Sequence, residues 1–85
     1  MEIVFEAAAL EDLTFWQASG NEQVLRKIRQ LLENILETPF TGIGKPEALK
    51  HELASKWSRR ITEEHRLVYK VEEEIIRVYQ LRFHY

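Results

Sequence analysis

The sequence predicts an α+β fold in the order βααβββ, with an antiparallel twisted sheet and a two-helix hairpin packed on one face. Three observations carry this. Apolar residues recur at helical spacing through residues 6–36, and the period changes to two from Trp57 onward. Only Gly20 and Asn21 separate the two helical stretches, and so short a connection makes them an antiparallel hairpin. The β-prone stretches after Trp57 are also joined by short connections, which makes them an antiparallel meander. A sheet with one apolar face needs a covering layer, and the hairpin supplies it.

The elements follow in order. Ile3, Val4 and Phe5 are a β-prone run too short to stand alone, so they pair into a sheet completed later. Residues 6–19 read as a helix: alanines favour it, and Ala9, Leu13 and Trp16 share one face while Glu11 and Asp12 point to solvent. Gly20 ends it in the left-handed conformation. Asn21 caps the second helix, whose apolar stripe runs through Val24, Ile28, Leu31, Leu32 and Ile35. Thr38–Pro39 disfavours further helix. Residues 40–56 have no clear period, and Pro46 is placed to start one helical turn through Glu47, Leu49, Lys50 and Leu53. Loops this long in a small domain usually serve a function.

In the meander, Trp57, Ile61, Leu67, Tyr69, Leu81 and Phe83 fall on the face the helices cover. Arg60, Arg66, Arg82 and His84 fall on the other, by alternation. Arg59 and Arg77 land on the apolar side, so they are expected near strand ends or sheet edges.

Eighty-five residues make a single domain, residues 1–85. No cysteine is present, so there are no disulfides or thiolate metal sites. The start, Met-Glu-Ile-Val-Phe-Glu, has neither a basic stretch nor a long apolar one, so neither a signal peptide nor a membrane span is expected. Net charge is −2, yet residues 45–70 carry seven Lys/Arg against four acids. A local field of that sign attracts a polyanion whatever the total charge.

The open face gathers what RNA cleavage requires. A 2′-hydroxyl attacking its neighbouring phosphate must lose a proton, and the leaving 5′-oxygen must gain one. Charge on the phosphorane between them is stabilised by fixed cationic donors. Glu47 is the candidate base, His84 the candidate acid and Arg66 the clamp. Lys45, Lys50, Lys56, Arg59 and Arg60 are candidates to hold flanking phosphates, and Tyr85 to stack on a base. His51, His65 and His84 lack a zinc-like spacing, so no metal and no cofactor is predicted. Each residue also has an ordinary reading: Glu47 as a loop carboxylate, His84 as a solvated end, Arg59–Arg60 as a charged strand edge, Trp16, Trp57, Tyr69 and Tyr79 as core.

Three segments resemble the YoeB toxin family of the RelE superfamily. They are Gly-x-Gly-Lys-Pro-Glu-x-Leu-Lys-His at 42–51, Trp-Ser-Arg-Arg-Ile-Thr-Glu-Glu-His-Arg-Leu-Val-Tyr at 57–69, and the terminal His84–Tyr85. The block at 57–69 is the specific one; Gly-x-Gly alone means little. The resemblance implies a compact microbial-ribonuclease-like fold, the toxin of a type II toxin–antitoxin system, and ribosome-dependent cleavage of mRNA in the A site. It implies Glu47 as general base, His84 as general acid and Arg66 at the phosphate, with Arg60, Lys50 and Tyr85 supporting. It further implies a YefM-like antitoxin, the 70S ribosome and mRNA as partners, a homodimer, and a cytoplasmic location. Ala48 departs from the family, where a second proline is frequent, as do Ser55–Lys56 and Gln80–Leu81. Two other functions compete: an inhibitor toxin of the gyrase-directed type on the same fold, and an idle RNA- or antitoxin-binding module.

Overall fold

The computed structural model describes residues 1–84. The chain runs β1 (Glu2–Phe5), α1 (Ala7–Ser19), α2 (Glu22–Glu37), β2 (Glu47–Ala48), a 3₁₀ turn (His51–Leu53), β3 (Trp57–Arg60), β4 (Arg66–Glu72) and β5 (Ile75–Gln80). The strands form one sheet in the order β1-β5-β4-β3-β2. Strands β3 to β5 pair antiparallel, as expected; the unexpected β2 adds antiparallel to β3, and β1 joins β5 in parallel, so the sheet is mixed. Among the described residues, no helix is long and apolar enough to cross a membrane.

The hairpin forms as its local signals dictate. Gly20 closes α1 at φ 68°, its N–H reaching the Gln17 carbonyl. The Asn21 side chain accepts from the Val24 N–H at 3.1 Å and opens α2. Val24, Ile28, Leu31 and Ile35 line the buried side of α2 and meet Leu67, Tyr69, Ile76 and Val78 of the sheet. Each fully buried aliphatic side chain contributes roughly 1.5–3 kcal/mol, so packing rather than propensity holds α2 in place.

Four expectations need correction. Pro46 starts no helical turn: Glu47 and Ala48 pair with Ser58 and Trp57, because β3 offers its edge there. Arg59 is neither at a strand end nor at the surface; its side chain points into the core and is 0% exposed. Arg77 sits mid-strand in β5 on the uncovered face, bridging Glu6 at 2.9 Å and Glu72 at 3.0 Å. Phe83 is exposed rather than buried.

Phe83 is exposed because β5 ends at Gln80 and the chain turns at Phe83, φ 65°, whereas Arg77 is displaced by a bulge. Val68 pairs with Gln80 while Tyr69 pairs with Val78, so Tyr79 is an extra residue in β5. This bulge shifts the alternation by one. Ile76 and Val78 face the helices before it and Leu81 after it, which leaves Arg77 on the open face.

Arg59 organises the loop before β2. Its Nη1 donates to the Asn34 side-chain oxygen and to the Ile43 carbonyl at 3.1 Å. Its Nη2 donates to the Thr38 and Thr41 carbonyls at 2.7 and 2.9 Å, and its Nε to the Tyr69 hydroxyl at 3.2 Å. Burial holds that hydroxyl above the usual tyrosine range, outweighing the nearby guanidinium. It stays protonated and donates to the Pro39 carbonyl at 2.6 Å. Gly44 follows at φ 80°, and its carbonyl accepts from the Arg60 N–H at 2.7 Å. A Cβ there would lie 2.6 Å from Leu31 Cδ2 and 3.2 Å from Arg59 Cβ. Gly44→Ala is therefore expected to cost about 2 kcal/mol through overpacking and the left-handed backbone, read as a lower urea midpoint.

Candidate active site

The uncovered face of the sheet carries an open cleft of about 530 Å³, lined by Lys45, Pro46, Glu47, Ser58, Arg60, Arg66 and His84. Four separate pieces of chain build it. The Arg59-tethered loop delivers Lys45, Pro46 and Glu47. The outward positions of β3 supply Ser58 and Arg60, and the first position of β4 supplies Arg66. The segment after β5 brings His84.

The register explains these neighbours. Glu47 stands opposite Ser58, and Arg60 stands opposite Arg66, all on outward positions of adjacent strands. Ser58 is 2% exposed and forms the floor. Arg66, 7% exposed, is held through Nη1 by the carbonyls of Thr62, Glu63 and His65 at 2.8, 3.0 and 3.3 Å. A guanidinium fixed in advance need not reorganise when charge develops beside it. Arg60 is held more loosely. Its pair with Glu63 is 3.8 Å long, and the Glu63 side chain is 93% exposed. Exposed pairs of this kind contribute about 0–1 kcal/mol, too little to keep Arg60 from an incoming phosphate.

Two residues beside the cleft have backbones in the left-handed region: Lys45 at φ 53° and Phe83 at φ 65°. Neither is glycine, and such strain persists only where the surroundings enforce it. Lys45 stands two residues before Glu47, and Phe83 one residue before His84.

The sequence candidates divide accordingly. Glu47, Arg66, His84, Lys45 and Arg60 share the cleft. Lys50 lines a neighbouring hollow with Glu47, Leu49 and His51. Lys56 stacks its ammonium 3.9 Å from the centre of the Tyr79 ring, away from the cleft. Arg59 cannot hold a phosphate here, because burial turns its donors inward to the loop carbonyls. The stacking role assigned to Tyr85 lies outside the described residues. Ser58 was not singled out as a site residue, although its alternation with Trp57 and Arg59 already put it on this face. Among the described residues, no group of three or more His, Cys, Asp or Glu could hold a metal ion.

Four cationic or ionisable nitrogen side chains thus surround one carboxylate in an open groove. That arrangement can bind a phosphodiester, accept a proton on one side and return one on the other.

The chain is similar to known proteins over nearly all of its length. A family model described as the YoeB-like toxin of bacterial type II toxin–antitoxin systems matches residues 5–85. Toxin YoeB of Escherichia coli (strain K12) is 42% identical over 85 residues, covering 100% of both chains. The structure of the YoeB/ParE toxin from Agrobacterium tumefaciens superposes with a TM-score of 0.96 at 45% identity, with both chains fully covered. Staphylococcus aureus YoeB, solved as a dimer and in a heterotetrameric YoeB-YefM complex, is 40% identical in both structures. The match spans 100% of this chain and 98% of that one, with TM-scores of 0.91 and 0.90.

Proposed function

This chain belongs to the family of YoeB-like toxins of bacterial type II toxin–antitoxin systems, and from that premise we propose that it is a ribosome-dependent endoribonuclease that cleaves mRNA in the A site. One observation supports the chemistry above all: Glu47, Arg66 and His84 line a single cleft with Lys45 and Arg60. Glu47 takes the proton from the 2′-hydroxyl. The freed oxygen attacks the adjacent phosphorus, and Arg66 stabilises the charge that builds on the equatorial oxygens. The bond to the 5′-oxygen breaks as His84 protonates it. The products are a 2′,3′-cyclic phosphate and a 5′-hydroxyl. No step calls for a metal or cofactor. Lys45 and Arg60 hold flanking phosphates, with Lys50 at the margin.

The protein forms a homodimer and a complex with a YefM-like antitoxin. Both assignments extend to this chain what the Staphylococcus aureus structures display. Action on ribosomes places the protein in the cytoplasm.

The test is a bacterial cell-free translation reaction with mRNA ends mapped by primer extension, with naked mRNA in parallel. New ends at A-site codons, formed only during translation, are expected. Intact mRNA with translation unaffected would overturn the reading and direct attention to the gyrase-inhibitor alternative. Deleting His84 and Tyr85 should abolish cleavage, because it removes the proposed acid, with little change in melting temperature. A large fall in melting temperature would instead mark the end as structural.

A further inference from the structure

Beyond Gln80 the chain leaves the sheet, and residues 81–83 form a strap that ends at His84. Short terminal segments ordinarily fray. This one is tied at both of its alternate residues. The N–H of Leu81 donates to Asp12 Oδ2 at 2.9 Å, and its carbonyl accepts from Trp16 Nε1 at 2.8 Å. The N–H of Phe83 donates to His65 Nδ1 at 2.8 Å, and its carbonyl accepts from the Arg66 N–H at 3.0 Å. Gln80 Nε2 adds a further bond to the Phe83 carbonyl at 3.0 Å.

The two ties also touch. The His65 ring packs edge-on against Trp16, with centroids 4.9 Å apart. Asp12 and Trp16 are one turn apart on α1, which puts both on the side facing the strap. The sequence reading sent Asp12 to solvent, whereas it is half-buried and bonded to backbone sixty-nine residues away. The Arg66 main chain takes part as well, so the strap is registered against the residue that carries the phosphate clamp.

We propose that Asp12, Trp16 and His65 are positioning residues for cleavage: they fix the backbone of the strap and thereby where His84 meets the scissile phosphate. This rests on the reading of His84 as proton donor. None of the three lines the cleft, so they act through the strap. A reacting group displaced by about 1 Å costs about 10²-fold in rate, so a strap released from one tie need move only that far to slow cleavage.

The experiment is single-turnover cleavage on programmed ribosomes with matched pairs of variants. His65→Phe keeps a flat ring against Trp16 but offers no acceptor; His65→Asn restores an acceptor oxygen. Asp12→Ala removes the other acceptor, and Asp12→Asn retains one. The Phe and Ala variants should cleave on the order of 10–10²-fold more slowly, with unchanged half-saturating toxin concentration and unchanged melting temperature. The Asn variants should recover much of the rate. His84→Ala serves as the reference: if it cleaves at full rate, the reading of His84 has failed. If His84→Ala is inactive while His65→Phe and Asp12→Ala cleave normally, the positioning proposal is overturned. Slowing that tracks with lost stability or weaker ribosome binding, or that Asn does not rescue, overturns it too. Should His65→Phe not fold, the Asp12 pair decides on the same criteria.

Discussion

Glu47→Gln is expected to slow mRNA cleavage by about 10²–10⁴-fold while leaving the fold unchanged. The substitution preserves the shape of the side chain and removes its charge and its ability to take a proton. Glu47 lies exposed on the two-residue strand β2, outside the core cluster. Exposed substitutions of this kind usually move stability by less than about 0.5 kcal/mol. Loss of activity with an unchanged melting temperature would therefore report chemistry. Band intensities at A-site ends in the translation assay give the rate, and thermal unfolding gives the control. Full cleavage by the Gln variant would remove Glu47 as the base.

The largest effect on stability should come from Arg59→Met. The guanidinium is 0% exposed, and every bond found for it runs to an uncharged oxygen. Removing it takes all five of these hydrogen bonds from the core end of the loop, leaving the Thr41 carbonyl only the Thr38 hydroxyl at 2.9 Å and the Thr38 carbonyl only the Thr41 N–H at 3.4 Å. A hydrogen bond from a charged donor contributes about 1.5–3 kcal/mol, so losing five of them, offset by the easier burial of Met, is expected to cost at least about 3 kcal/mol. For a domain of this size each kcal/mol lowers Tm by about 4–8 °C, so a fall of at least roughly 12 °C is expected. Arg59→Lys should recover part of it, since one ammonium cannot replace a planar fork with five donors. If the Met variant melted within a few degrees of the original, the loop would have to be held by other contacts.

These predictions separate what the chain announces locally from what it does not. Gly20 and Asn21 each act on their own neighbours, and the α2 stripe lies within one helix, so the hairpin was readable. Alternation placed Arg60 and Arg66 on the open face, and Arg66 duly lines the cleft. Strand β2 was not readable, because it exists only through its register with β3. Nor was the Tyr79 bulge, since no glycine or proline marks it and one extra residue puts Ile76 and Val78 on the same face as Leu81, against strict alternation. Arg59 gave conflicting signs: its position said inward and its charge said outward. Position prevailed because loop carbonyls sixteen to twenty-one residues upstream in the chain were there to receive it. Asp12 failed for the same reason, its partner being supplied by the far end of the chain.

The helices cover one side of the sheet only, and the cleft lies on the other. On the proposed function, the described residues of this two-layer protein supply no lid with which to dry its reaction chamber. Water around the attacking oxygen and the phosphorane weakens every electrostatic contact made to them. The missing wall must come with the substrate. A messenger held in a ribosomal decoding site arrives already enclosed on its far side, and closing the two halves together would expel the water that neither could expel alone. Free RNA brings no such wall, so even a complete set of catalytic side chains would work slowly on it.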